Sequence, residues 1–218
     1  MLSTIIVDDF FPNPDNVRQY ALSLQDWHKD EGFNWPGIRT KNLHTFAEEY
    51  HNALAWSVYN CMPNHIISKY DAFSKFHAMF HIAGEEYIGG LIHDDGNDLD
   101  FAGLVYLNPE PLENSGTSLY HHVTNQLEYF TEEIRPIKKN FFSNPENNQF
   151  KEQFIDFMNK RSAQFAKVTT VENVYNRCVI YDSHSWHGAN KYFGNTRENS
   201  RLTLVFFGKF GNGQDNIK

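Results

Sequence analysis

The fold turns on Phe76-His77-Ala78-Met79-Phe80-His81-Ile82. Phe76, Ala78, Phe80 and Ile82 alternate with His77, Met79 and His81. Side chains of an extended chain point alternately to opposite faces, so a period of two predicts a strand that buries one face. Toward the C-terminus, further strands are expected at Tyr87–Ile92, Phe101–Leu107, Thr117–His121, Val168–Val171, Arg177–Tyr181 and Arg201–Phe207. Short strands joined by turn chemistry predict a sandwich or barrel rather than an alternating βαβ sheet. Toward the N-terminus the period lengthens. Residues 1–72 read as mostly helical after an opening strand at Thr4–Val7, with a helix start at Asn13-Pro14-Asp15 followed by Val17, Tyr20, Ala21 and Leu24. Asn34-Trp35-Pro36-Gly37 is a turn signal, and Leu43, Phe46, Tyr50, Leu54 and Val58 form one helical stripe. The strand zone is interrupted at about 122–166 by a polar, helical insert. There Asn144-Pro145-Glu146 reads as a helix start, and the Phe150, Phe154, Phe157, Met158, Arg161 and Phe165 stripe as a surface packed on the strands. The expectation is one domain over 1–218: helical support over 1–72, a β core over 73–210 and a loose tail over 211–218.

Composition narrows the function classes. A chain of 218 residues has the length of one domain and needs no disulfide or metal staple to fold. Cys61 and Cys178 are too few for a disulfide framework, so a reducing compartment, the cytoplasm, is expected. The opening MLSTIIVDDFF lacks the basic start of a signal peptide, and no apolar run approaches the ~18–20 residues that span a bilayer. A net charge of −8 repels a phosphate backbone, so neither nucleic acid nor membrane is an expected partner. Oligomeric state is not legible. With 40% hydrophobic and 16% aromatic residues the chain has ample material for a core, and 11 histidines justify a search for metal ligands.

Two donors at i and i+2 on a strand share a face, which makes His-x-Asp a natural two-ligand unit. It occurs twice. His28-Lys29-Asp30 lies in a polar stretch outside the strand zone and reads as a solvated turn, whereas His93-Asp94-Asp95 closes the run YIGGLIH. A third donor has to come from a distant segment. The stretch Tyr181-Asp182-Ser183-His184-Ser185-Trp186-His187-Gly188-Ala189 offers His184, which looks exposed, and His187, whose Gly-Ala successor permits close backbone packing. Arg201-Leu202-Thr203-Leu204-Val205 puts Arg201 and Thr203 on one strand face, where a guanidinium and a hydroxyl can together hold a carboxylate. Asp98 and Asp100 read as turn residues, and His77 and His81 as strand-face histidines.

In order along the chain, these pieces resemble the Fe(II)/2-oxoglutarate-dependent oxygenase superfamily on its prolyl-hydroxylase-like branch. Four blocks between Phe76 and Phe207 carry the likeness: Ile92-His93-Asp94-Asp95, Gly103-Leu104-Val105-Tyr106-Leu107-Asn108, Ser115-Gly116-Thr117-Ser118-Leu119-Tyr120, and Asn176-Arg177-Cys178-Val179-Ile180-Tyr181-Asp182-Ser183 with His187. Ser115 stands where the family carries the first glycine of its Gly-Gly turn. Arg201-Leu202-Thr203-Leu204 fits the family's co-substrate motif without its preceding glycine. Gly194-Asn195-Thr196-Arg197 is a competing partial match in a polar loop, so Arg201 is preferred.

The resemblance implies a double-stranded β-helix, or jelly roll, flanked by helices. It implies Fe(II) on His93, Asp95 and His187, and 2-oxoglutarate anchored by Arg201 with Thr203 and Tyr106. With O2, such an enzyme hydroxylates a C–H bond of a small-molecule or peptidyl substrate and releases succinate and carbon dioxide. Asp95 argues against halogenation, because the related halogenases leave that ligand position open. The alternatives are a jelly-roll binding module without catalysis and a cupin-type metal enzyme that does not use 2-oxoglutarate.

Overall fold

The computed structural model describes residues 2–30, 32, 35–96, 98–123 and 131–212. In chain order the elements are β1 Ile5–Val7, α1 Pro14–Ser23, β2 Trp27–His28, β3 Ile38–Thr40, a 3₁₀ turn Leu43–Thr45, α2 Glu48–Asn60, α3 Asn64–Ile67 and β4 Ala72–Ala83. There follow β5 Phe101–Tyr106, β6 Thr117–His122, α4 Thr131–Ser143, α5 Asn148–Ser162, β7 Phe165–Val171, β8 Cys178–Asp182, β9 Trp186–Ala189 and β10 Arg201–Gly211. The strands form two antiparallel sheets, β1-β8-β5-β10-β4-β3-β2 and β7-β6-β9. The chain is mainly β, with a jelly-roll core and flanking helices.

The alternation in β4 sorts its two faces as expected. Phe76, Ala78, Phe80 and Ile82 join Phe101, Val105, Ile180, Leu202, Leu204 and Phe206 in the main core, which α1 and α2 cover with Val17, Ala21, Leu54 and Val58. The other face of the large sheet looks toward the small one. Pairing puts Tyr106 beside Thr203, Thr203 beside His81, and His81 beside Arg39. Paired residues in an antiparallel ladder point to the same side. One row of side chains therefore runs Tyr106, Thr203, His81, Arg39 across four strands, with Arg201 flanking it on β10.

Several expectations need correction. Residues 1–72 are not only helical, because β2 and β3 extend the large sheet past β4. His28 is on β2, paired with Arg39, rather than in a solvated turn. These strands are two and three residues long, too short to show alternation. The second helix begins at Glu48, Leu43 lies in the preceding 3₁₀ turn, and Phe46 of the expected stripe is 44% exposed. Tyr87–Ile92 forms no strand. It is an extended loop whose Gly90 lies so close to Ala189 that a Cβ there would stand 2.5 Å from the Ala189 nitrogen. β9, at a stretch that was not among the expected strands, pairs with β6. α5 starts at Asn148 rather than beside Pro145, because the Asn147 side chain accepts from the Phe150 amide and caps it. The insert is shorter than expected, since β6 runs to His122 and β7 starts at Phe165. Gly211, expected in the tail, pairs with Ala72 on β4, and residues 213–218 lie outside the described ones.

The insert does pack on the core as its stripe predicts. Phe141 and Phe142 of α4 and Phe154 of α5 gather around Tyr87, Ala83 and Tyr192. Among the described residues, no helix is long and apolar enough to cross a membrane.

Candidate metal centre

His93 and His187 meet because their backbones pair. The His93 amide donates to the His187 carbonyl at 3.0 Å and the His187 amide to the His93 carbonyl at 2.8 Å, an isolated bridge that adds the loop to the edge of the small sheet. The Asp95 amide donates to the Ser183 carbonyl at 2.9 Å, which turns the chain back over the same spot. Three side chains from segments nearly a hundred residues apart thus converge. His93 Nε2 stands 3.8 Å from Asp95 Oδ1, and His187 Nε2 stands 3.4 Å from Asp95 Oδ2. One ligand atom of each lies within 4.8 Å of the others, the only such set found among the described residues.

Hydrogen bonding fixes which nitrogen of each ring is free. His93 Nδ1 contacts the Leu91 carbonyl at 2.7 Å and His187 Nδ1 the Ser185 carbonyl at 2.9 Å. A carbonyl only accepts, so each Nδ1 carries the hydrogen and each Nε2 turns a lone pair toward Asp95. Asp95 Oδ2 is buried and has no hydrogen-bond partner. Two lone pairs and a carboxylate oxygen aimed at one point repel each other unless a cation lies between them. Metal–ligand bonds of about 2.1 Å set neighbouring donors roughly 3.0–3.4 Å apart, close to the spacings found. The set therefore fits a divalent cation with one carboxylate and two imidazoles. Desolvation first, and the neighbouring His187 second, hold the His93 imidazole below its ordinary pKa of 6.5 and keep it neutral for ligation.

A narrow cavity of about 90 Å³ joins this cluster to Arg201, with Thr117, Tyr181 and Tyr192 among its walls. Arg201 is 3% exposed. Its Nε donates to the Ser115 carbonyl at 3.2 Å, and its guanidinium lies 5.4 Å from the Tyr106 ring and 5.7 Å from the Tyr192 ring. Its Nη2 is buried without a partner, as is the hydroxyl of Thr203 two residues on. No carboxylate among the described residues pairs with Arg201. A buried unpaired cation is costly, and an entering anion removes the cost.

Of the residues singled out in the sequence, the structure brings His93, Asp95, His187 and Arg201 to this cavity, with Thr203 on the same face of β10 as Arg201. Tyr106 lies beside Thr203, its hydroxyl donating to Thr117 Oγ1 at 2.8 Å and its ring 5.4 Å from the Arg201 guanidinium. Arg197 is elsewhere, bonded to the Leu24 carbonyl and stacked on Trp27. His184 stays outside, its amide donating to Asp182 at 3.0 Å. Asp98 pairs with Lys75 and Lys209, and Asp100 accepts from the Phe210 amide.

Residues the sequence did not point to are Thr117, Tyr192, Arg39 and Arg161. Thr117 was readable from its phase, two residues before the inward Leu119. Arg161 of α5 donates to the Ile92 carbonyl at 2.7 Å and lies 5.6 Å from both the Phe165 and Trp186 rings, bracing the residue before each histidine ligand.

A family model described as a family of unknown function (DUF6445) matches residues 2–207. No curated protein matches the sequence. Solved structures share the fold at low identity. A Pseudomonas putida prolyl-4-hydroxylase has a TM-score of 0.55 at 13% identity, over 96% of this chain and 93% of that one. A Trichoplax adhaerens prolyl hydroxylase, solved with a fragment of hypoxia inducible factor, has 0.51 at 11%, over 97% and 84%. HygX from Streptomyces hygroscopicus, with nickel, 2-oxoglutarate and hygromycin B bound, has 0.52 at 12%, over 95% and 83%.

Proposed function

The chain belongs to DUF6445, a family of unknown function, and from its own site we propose that it is an Fe(II)- and 2-oxoglutarate-dependent dioxygenase that hydroxylates a C–H bond. The substrate is a small molecule or a peptide, and succinate and carbon dioxide are released. One observation carries the reading. A cavity has a cation-demanding donor set at one end, His93, Asp95 and His187, and a buried guanidinium without an anion at the other, Arg201. A dicarboxylate that also chelates metal satisfies both ends at once. A carbohydrate- or protein-binding module needs neither.

His93, Asp95 and His187 would hold the iron. Arg201 and Thr203 would hold the distal carboxylate of 2-oxoglutarate, with the Tyr106 ring beneath the guanidinium. When bound, iron and co-substrate would supply the electrons that activate O2 for attack on an unactivated C–H bond. The chain supplies orientation. The Leu91 and Ser185 carbonyls lock the imidazoles with Nε2 inward. Burial pushes the Tyr181 phenol well above its ordinary pKa and raises that of Tyr106, so both stay neutral beside the site. The closely packed inner row excludes water from Arg201, which strengthens its pull on a carboxylate.

The test is anaerobic. Fe(II) and then 2-oxoglutarate are added to the apo-protein, and the weak visible metal-to-ligand band is followed. Oxygen is then admitted and succinate assayed. The wild type is expected to show both band and succinate, and His187→Ala neither. Absence of the band in the wild type ends the proposal. Fe(II) binding without a band at any 2-oxoglutarate concentration favours the cupin-type alternative. Product analysis separates hydroxylation from epimerisation, the reaction of SnoN, a non-heme alpha ketoglutarate dependent epimerase that shares the fold.

A further inference from the structure

A wide cleft of about 750 Å³ opens onto the metal cluster from outside and shares His93, Asp95, His81, Tyr192 and Arg39 with the narrow cavity. Its walls are unequal. Met79, Phe142, Phe207 and Leu91 give it apolar surface. Of its three carboxylates, Asp95 faces the two histidines, Asp98 is held by Lys75 at 2.7 Å and Lys209 at 3.5 Å, and Asp94 is half-buried. Arg39 is different. Its guanidinium sits over Trp35, Cζ 4.2 Å from the ring centroid, and Nε is buried without a partner. Asp95 and Asp30 exert attraction on it, yet neither comes within the 4.0 Å of an ion pair, and no hydrogen bond to its guanidinium is formed among the described residues.

Position separates Arg39 from Arg201. It ends the row Tyr106, Thr203, His81, Arg39, two strands from Thr203. At about 4.8 Å per strand, that is roughly 10 Å across the sheet. An anion seated on Arg201 and Thr203 leaves Arg39 to a second one.

We propose that Arg39, backed by Trp35, is the anchor for an oxyanion on the substrate, so that the cleft takes an organic acid whose apolar body lies on Met79, Phe142 and Phe207. This rests on the oxygenase reading for its chemistry, but not for its binding. A planar guanidinium held by an aromatic plate offers a fork matched to carboxylate or phosphate. The pre-stacked side chain loses little freedom on binding. The row geometry then holds the bound acid beside His93 and Asp95, where a C–H bond of its body meets the metal centre.

The test uses matched probes on metal-free full-length protein: phenylacetate, phenylacetamide and phenyl phosphate. Binding is followed by calorimetry, with Trp35 fluorescence assigned by difference from Trp35→Phe. The wild type is expected to bind phenylacetate or phenyl phosphate at least tenfold more tightly than the amide, and whichever acid is tighter names the oxyanion. Arg39→Gln should abolish the preference, and Arg201→Gln should leave it. If Arg39→Gln does not fold, Arg39→Lys carries the test. It keeps the charge but not the fork and should cut the preference at least threefold. Equal binding of acid and amide overturns the proposal, as does a preference that survives at position 39 and vanishes at position 201. A tenfold rise in the 2-oxoglutarate requirement of Arg39→Lys also overturns it, because Arg39 would then serve the co-substrate. The metal band is scored separately. Its absence with the acid preference intact sinks the oxygenase reading and leaves this site standing.

Discussion

At the scale of single residues, the site is defined by what its polar atoms lack. Asp95 Oδ2, Arg201 Nη2 and the Thr203 hydroxyl are buried and unbonded, although buried polar groups are normally paired. Asp95 and Arg201 line one cavity, and Thr203 stands two residues from Arg201 on the same face of β10, which is why these atoms indicate a ligand and not a flaw in packing. Charge-assisted hydrogen bonds contribute about 1.5–3 kcal/mol, or roughly ten- to 150-fold in affinity. Arg201→Lys keeps the charge and loses the planar fork, so the 2-oxoglutarate concentration that half-develops the anaerobic band should rise by about tenfold or more. The Fe(II) affinity without co-substrate should stay within about threefold. An unchanged 2-oxoglutarate titration would remove Arg201 from the role. At this scale the sequence was informative wherever spacing implied geometry. His93 with Asp95, and Arg201 with Thr203, are i and i+2 pairs on extended chain, and both share a face. The choice of His187 over His184 was legible for a similar reason, since only His187 is followed by small residues that allow a close neighbour. The Tyr106 hydroxyl could not be assigned from sequence, because its partner Thr117 comes from another strand.

At the scale of elements, the proposed ligands are held by an edge rather than by a strand. The loop carrying His93 and Asp95 joins the small sheet through the His93–His187 bridge and through the Gly90 amide, which donates to the Ala189 carbonyl at 2.8 Å, and the glycine that permits the approach is Gly90. In Gly90→Ala the new Cβ would lie 2.5 Å from the Ala189 nitrogen and 3.2 Å from its Cα, both backbone atoms that cannot swing aside. The loop must lift, and the distance between the imidazoles grows with it. The expected result is a loss of metal affinity of about tenfold or more with the fold retained, because the large sheet and the main core do not depend on the contact. Calorimetric titration with Ni(II), alongside a thermal melt, would check it. Unaltered Ni(II) binding would show that the loop is positioned by other means, the Arg161 bond to Ile92 being the first candidate. The sequence misread this loop as a strand because YIGGLI is apolar and β-branched at its ends. Local preference cannot register that the segment has only one short neighbour to pair with. The same blindness hid β2, β3 and β9, whose two to four residues are strands only because an existing sheet edge receives them.

At the scale of the whole molecule, the large sheet divides two environments, a hydrocarbon core under α1 and α2 and a polar row facing the small sheet. His81 lies in that row, buried, donating from Nε2 to the Pro36 carbonyl at 2.7 Å. Desolvation first, then Arg39 and Arg201, hold its pKa well below 6.5. In the unfolded chain the imidazole takes up a proton near 6.5, and in the folded one it resists. Below that pH the unfolded state binds more protons, so stability declines as pH falls from 6.5 toward the folded pKa, by at most about 1.4 kcal/mol per pH unit for one proton. Above 6.5 the term vanishes. His81→Gln keeps a donor for Pro36 and cannot titrate, so urea unfolding of the metal-free protein at pH 7, 6 and 5 should show a shallower decline than the wild type. Parallel curves would mean that His81 is already protonated in the fold. The sequence by itself determined the period-two strands, the helical flanks and the identity of five inward polar residues, because alternation and residue chemistry are local properties. Only the tertiary structure decided which edges receive the short strands, that Arg39 stands in line with His81 and Thr203, and that a loop rather than a strand closes the metal cluster. Those are facts about neighbours distant in the chain, and a neighbour's position is fixed by packing and backbone pairing, which no single segment encodes.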